Sequence, residues 1–477
     1  MERLSGQDAS FLYMETPSVH MHTLKVAIVD LPTKISYNDL FDLVRVSMES
    51  RLHLVPRLRL RPIPVPGGLH HPVWIRDPSF NIGRHLFRTK IAKPGGSREM
   101  DEAIAAIAGT QLPRDRPLWE TWMLEGLADG GVALVTKIHH ALADGVASAN
   151  VLAKVMSLQP DAEDADGKTP SFIPERLPSR PDLIKDALHD QREQLSSVGP
   201  LLRRTVEGGI DVLRNLRKRA VAVPYPFVTP RTVFNRTLSP MRSFASTSLP
   251  LADFKAVKDA ARVTLNDVVL ATVAGALDRF FEARGETLSR PLVASVPMAA
   301  LDAGAGSRGE GNRVANLFTS LCNDITDPGE RLQKIHAVTQ QSKEVQRQLG
   351  IDTMLDWSEA APPAIYRWIL SAYSQSRLAD HMRPPANLIV SNVRGPDRPL
   401  YVAGAKLRKI YSVGPAVEGI GLNITGWSYC GDLSFALIAD AEAIPDPHPI
   451  TDALRPALDD LMQATGATLR KRGESAA

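Results

Sequence analysis

The run Gly130–His140, GGVALVTKIHH, narrows the fold choices more than any other stretch. It is short, apolar and rich in β-branched residues, so it reads as a strand. The segment that follows, Gly145–Leu158 (GVASANVLAKVMSL), reads as a helix. A strand that ends on two adjacent histidines and turns within a few residues into a helix belongs to an α/β chain.

The same alternation recurs along the sequence. His22–Leu31 reads as a strand, Tyr37–Leu52 as an amphipathic helix and Glu99–Leu112 as another helix. Thr264–Gly285 reads as a long helix with Thr264 at its cap. PLVASVPM and ANLIVSNV read as strands, and IGLNITGWSYCGDLSFALIAD as a hairpin turning at Cys430-Gly431-Asp432. A chain of 477 residues exceeds what one core usually holds, so two domains are expected. The boundaries follow composition: a first domain over 1–160, a Pro- and Asp-rich crossover linker over 161–230, and a second domain over 231–477. Inside the linker, Leu201–Arg219 shows an apolar stripe (Leu202, Val206, Ile210, Leu213, Leu216), with Arg203, Arg204, Arg214 and Lys218 largely off it. Such a helix suits either a lipid surface or packing between domains, and Gly208-Gly209 weakens it.

Side chains alternate along a strand, so Val132, Leu134, Thr136, Ile138 and His140 share one face, and Ala133, Val135, Lys137 and His139 the other. The histidines therefore do not act as a pair, and chelation of one metal by His139, His140 and Asp144 is disfavoured. Asp144 sits four residues past His140, where it can cap the following helix, and Gly145 permits a close approach or an unusual backbone angle. A histidine at a strand end serves either as a general base or as packing, and spacing alone does not choose. No G-x-S-x-G or active-site cysteine context offers a covalent nucleophile, which favours direct attack by a bound acceptor.

Charge excludes other classes. Lys+Arg number 56 against 53 Asp+Glu, a net +3, which gives no field for nucleic acid. The two cysteines, Cys322 and Cys430, are far apart and suit a reducing cytosol. The N-terminus lacks the apolar core of a signal peptide, and no apolar run reaches the length of a spanning helix. A cytoplasmic protein is expected, with peripheral contact to the inner membrane or lipid droplets left open.

HHALADG (His139–Gly145) fits HHxxxDG, the signature of the CoA-dependent acyltransferase superfamily that includes chloramphenicol acetyltransferase and peptide-synthetase condensation domains. More narrowly, the chain resembles the bacterial wax ester synthase/acyl-CoA:diacylglycerol acyltransferase family. The resemblance is carried by LSGQDASFLYMET, DRPLWETWMLEGL, TLNDVVLATVAGAL, GNRVANLF, NLIVSNVRGPDRPLYVAGA and GLNITGWSYCGDLSFAL, in that order.

The resemblance implies an α/β fold of two chloramphenicol-acetyltransferase-like domains with mixed sheets, pseudo-duplicated, with the active-site channel between them. It implies transfer of a long-chain acyl group from acyl-CoA to diacylglycerol or a long-chain alcohol, with His140 as base and Asp144 architectural. Acyl-CoA enters as substrate, and neither metal nor other cofactor is implied. Asn266 and Asp267 match a family motif, Asn266 as a polar contact to substrate or oxyanion. The rival there is a plain helix cap. Trp119 matches another motif, as packing or acyl-chain contact, and Asn392 is either a substrate-side or a turn residue. Arg394 stands where many relatives have proline, and Ala299-Ala300-Leu301 replaces a usual Ser/Thr-Arg pair. Two rival functions remain: a lipid-surface binding protein that kept the fold without activity, and a condensation-type enzyme acting on a carrier protein.

Overall fold

The structure, a computed structural model, describes residues 1–142, 154–160, 172–190, 203, 229–299, 314–349 and 363–468. Two six-stranded mixed sheets dominate it. The first runs in the order β12 (Tyr401–Val402), β13 (Ala405–Val413), β2 (His22–Asp30), β7 (Gly131–His139), β6 (Trp119–Glu125), β5 (Leu86–Lys90). Only β5 and β6 are parallel within it. The second runs β10 (Val314–Ser320), β9 (Val293–Ala299), β11 (Leu388–Arg394), β14 (Leu422–Tyr429), β15 (Asp432–Asp440), β8 (Arg242–Pro250). Here β11 is parallel to both its neighbours. A small sheet of β1 (Glu2–Arg3), β4 (Val73–Arg76) and β3 (Leu60–Ile63) lies beside them. The fold is α/β with two domains of mixed sheet, as expected.

The chain does not divide between the sheets as a cut at residue 230 implies. Strands β12 and β13 come from the 231–477 segment yet extend the first sheet, β13 pairing antiparallel with β2. The reason is apolar continuity. Leu407 and Ile410 of β13, Trp427 and Tyr429 of β14, and Ala27, Val29, Val132 and Leu134 of the first segment share one cluster. A second cluster joins Leu24, Val26 and Val135 to Phe244, Ala436 and Ile438 of the second sheet. A core shared in this way resists separation into independent halves.

Local signals explain the helices. α1 spans Gly6–Met14 with Ser5 as its cap, and α2 spans Tyr37–Arg51 behind a Ser36/Asp39 capping box. α3 covers Ser97–Ala108, starting and ending earlier than the sequence suggests. Buried side chains satisfy its last carbonyls. The imidazoles of His22 and His20 bond to the oxygen of Ala108 at 3.0 and 3.3 Å, and the Lys137 ammonium donates to that of Ile107 at 3.3 Å. A cation at a helix C-terminus is favoured by the helix dipole.

α4 (Leu251–Ala261), α5 (Leu265–Ala283), α6 (Pro328–Leu349) and α8 (His448–Thr465) belong to the second domain, while α7 (Pro363–Gln375) packs on α1. α5 is buried nearly all round. Gly275 lets it approach α8, since a Cβ there would meet that of Ala457 at 3.1 Å. The expected hairpin is present. Tyr429 pairs with Asp432 across Cys430 and Gly431, both at positive φ, which matches the twist of the strands.

Candidate active site

β7 delivers the histidines. Its last residue, His139, pairs with His22 of β2, and His140 begins the turn, its amide donating to the Met21 carbonyl at 2.8 Å. The alternation along β7 holds to this end. Lys137 and His139 point one way and are fully buried, whereas His140 meets the ring of Phe11 from α1, centroids 4.3 Å apart.

His140 is half-buried, yet loss of solvent around its ring pushes its pKa down to about 4, helped by nearby His139 and Lys25. Its own backbone carbonyl opposes this shift in part. The ring is neutral at pH 7 and able to accept a proton.

His139 has the other tautomer. Its Nδ1 accepts the amide of Ala141 at 3.1 Å, so Nε2 carries the hydrogen. That edge faces the Glu15 carboxylate at 3.7 Å, too long for a hydrogen bond but close enough for a strong electrostatic contact. Glu15 follows α1 directly and pairs with Arg114. Burial raises the Glu15 pKa, but His139 and Arg114 outweigh it and hold the carboxyl below its usual value. His139 itself is pushed down by burial.

Beside them Lys137 donates to the hydroxyl and carbonyl of Thr110 at 2.8 and 3.0 Å and pairs with Glu120 at 3.3 Å. Burial lowers its pKa, and Glu120 opposes that. On the opposite face of β2, buried Lys25 donates to the Ser412 hydroxyl and lies 4.8 Å from the centre of the Trp427 ring.

The other expected site residues scatter. Asp144 and Gly145 lie outside the described residues, as does Leu201–Arg219 apart from Arg203. Trp119 is packed in the core. It is 1% exposed, its indole donates to the Leu58 carbonyl at 2.7 Å, and its ring stacks on His85 at 4.4 Å. Asp267 closes a capping box with Thr264 and accepts from His336 at 2.7 Å. Asn266 is half-buried one residue earlier on α5. Asn392 is half-buried on β11, opposite Gly426 of β14. Arg394 is exposed and pairs with Asp397.

Sequence reasoning missed Phe11, Glu15, Lys25 and Arg114. Two signals pointed to the polar network: Lys137 interrupts an apolar strand, and SVHMHTLK sets His20 and His22 on one face of an otherwise apolar run.

Comparison with known proteins decides the family. A model described as wax ester synthase/diacylglycerol acyltransferase catalytic domain matches residues 4–269, and the C-terminal domain model of the same family matches 310–462. The chain belongs to the wax ester synthase/diacylglycerol acyltransferase family. It is an acyl-CoA-dependent O-acyltransferase. A Mycobacterium tuberculosis H37Rv protein provisionally named diacylglycerol O-acyltransferase is 38% identical over 98% of this chain and 97% of the relative. A second from the same organism is 34% identical over 98% of both. The solved wax ester synthase/diacylglycerol acyltransferase of Marinobacter aquaeolei VT8 superposes with a TM-score of 0.67 at 26% identity, covering 97% of this chain and all of that one. The starter condensation domain of rhizomide synthetase shares the fold alone, with a TM-score of 0.55 at 14% identity over 98% and 95% of the two chains.

Proposed function

We propose that this acyltransferase moves a long-chain acyl group from acyl-CoA to the hydroxyl of diacylglycerol or a long-chain alcohol, with His140 as general base. The observation that supports it best is the state of the His140 ring at the end of β7: neutral, and so able to accept a proton. The imidazole takes the acceptor's hydroxyl proton as that oxygen attacks the thioester carbonyl. The tetrahedral oxyanion collapses, the carbon–sulfur bond breaks, and CoA leaves as a thiolate, an adequate leaving group with a thiol pKa near ~8.5. The imidazolium returns its proton to the sulfur. The thioester is already activated, so the scheme calls for neither metal nor cofactor. Asp144 has an architectural role in this reading.

The acceptors and products are water-insoluble, so the reading includes peripheral contact with the inner membrane or a lipid droplet. Among the described residues no single helix is long and apolar enough to cross a membrane. Support for surface contact comes from α7, where Trp368 and Ile369 are 71% and 51% exposed. Just beyond it Leu378 and Met382 are also exposed, and Arg367, Arg377 (paired with Asp380) and Arg383 lie near them in the chain. Exposed apolar residues with cations close by suit an anionic lipid surface. Purified protein given palmitoyl-CoA with either diacylglycerol or hexadecanol should release CoA and form the ester. No release above the rate without acceptor would overturn the reading.

A further inference from the structure

We infer that Glu15 is a positioning residue: its carboxylate fixes the tautomer of His139, and that tautomer shapes the turn presenting His140. The inference rests on His140 being the base.

A buried imidazole has two neutral forms, and its neighbours choose between them. On one side of His139 is the amide of Ala141, a donor, 3.1 Å from Nδ1. On the other is Glu15, 3.7 Å from Nε2. An ionised carboxylate only accepts, so both neighbours select the Nε2–H form. In the opposite form two N–H groups would meet at Nδ1 and a lone pair would face the carboxylate at Nε2. The Ala141 amide would then lose its acceptor, two residues into the turn that starts at His139. The same turn carries the bond from the Leu142 amide to the His139 carbonyl at 2.9 Å. His140 lies between these anchors.

The surroundings keep Glu15 ionised. Its side chain is 5% exposed, and Arg114 pairs with it. Both Arg114 and His139 hold its carboxyl below its usual pKa against the opposing effect of burial. Its place in the chain ties it to the base as well. Glu15 comes four residues after Phe11, whose ring lies against His140. One short stretch, the end of α1, therefore touches both histidines. A glutamine at this position would fill the same volume, but it could turn its amide toward Nε2 and accommodate the wrong tautomer. The chemistry thus requires a carboxylate, and size alone would not suffice.

The test compares wild type with Glu15→Gln, a near-isosteric change. Nitrogen-15 NMR of histidine-labelled protein reads the tautomer, the His139 signal being identified by its loss in His139→Gln. Wild type should show Nε2–H alone, and Glu15→Gln should show a measurable share of the Nδ1–H form beside it. In the same variant kcat should fall ~10- to 100-fold, the cost typical of removing a group that orients a functional histidine, with KM for acyl-CoA changed less than about two-fold on that picture. A wild-type His139 in the Nδ1–H form would overturn the inference whether or not the variant folds. So would a variant that loses melting temperature and activity together while keeping Nε2–H alone, because Glu15 would then only brace the fold. Failure of the underlying reading looks different: His140→Ala would retain turnover whatever Glu15 does.

Discussion

The phenyl ring of Phe11 lies against the imidazole of His140, centroids 4.3 Å apart and planes inclined by 30°. An apolar ring in that position removes water from the base. Desolvation is the largest reason that the His140 pKa sits at about 4, well below the usual ~6.5. Phe11→Ala should readmit water and raise this pKa. A base works only when neutral, so the acid limb of the kcat/KM profile should move upward in pH. A wild-type and a variant profile that coincide would show that Phe11 does not set the basicity of His140.

The two histidines should respond differently to truncation. His140→Ala should lose ~10²- to 10⁴-fold in rate, the range typical of a general base, with little change in melting. His139→Ala should lower stability as well as turnover, because it removes an anchor of the turn that presents His140. It strands the Ala141 amide and leaves the Glu15 carboxylate with Arg114 alone, and a buried group without its partner costs ~1–3 kcal/mol. Parallel thermal melts and initial rates separate these outcomes. The base assignment falls if His140→Ala keeps near-normal turnover.

The opposite orientation of these rings was legible in the sequence, because strand alternation is strict and the apolar run before them is long enough to set it. The cap at Asp267 was legible in TLND, and its bonds to Thr264 and His336 are in place. The path of β13 was not legible. Nothing local in Ala405–Val413 says that it pairs with His22–Asp30, some 380 residues earlier; only the shared apolar cluster does. Glu15 was hidden for a related reason. It follows a helix that looks ordinary in isolation, and its partners His139 and Arg114 are distant in the chain.

Lys137 offers a test of the polar network. It is fully buried and supported by Glu120, by Thr110 and by the Ile107 carbonyl at the end of α3. Removing one member of a buried pair leaves the other charge stranded, at a cost of ~3–5 kcal/mol. Glu120→Gln should therefore lower the urea midpoint markedly. Glu120→Gln combined with Lys137→Met should recover part of that loss, since no charge is then unpaired. A double variant less stable than the single one would mean that Lys137 acts through the α3 carbonyls and not through Glu120.

Acid should unfold the protein early. Burial depresses the pKa values of His20, His22, His139 and His140 in the folded state. The unfolded chain takes up those protons near pH ~6.5 and the folded one does not, so protonation favours unfolding. Stability from these groups is complete above that pH. It falls progressively below it, for His140 until its folded value of about 4. Equilibrium unfolding measured from pH 8 to pH 4 should show the decline beginning near 6.5. A curve flat down to pH 5 would contradict the buried, neutral state of these rings.

The lipid contact can be tested through α7. Trp368 and Ile369 project outward, while Tyr366 of the same helix meets Tyr13 of α1 at 6.0 Å between ring centres. α1 in turn carries Phe11 to His140, so the exposed patch stands one helix away from the base. Burying one large apolar side chain contributes ~2 kcal/mol. Trp368→Ala should then weaken partitioning to anionic vesicles on the order of ten-fold or more. Replacing Arg367, Arg377 and Arg383 with Gln should remove most of the salt dependence, because each cation near such a surface contributes ~1 kcal/mol. Turnover of vesicle-borne diacylglycerol should fall in both variants, and turnover of a short, soluble alcohol should not. Unchanged vesicle binding in both would remove α7 as the docking element. Equal loss with both acceptors would make the helix a support for α1, acting on the site from within the fold.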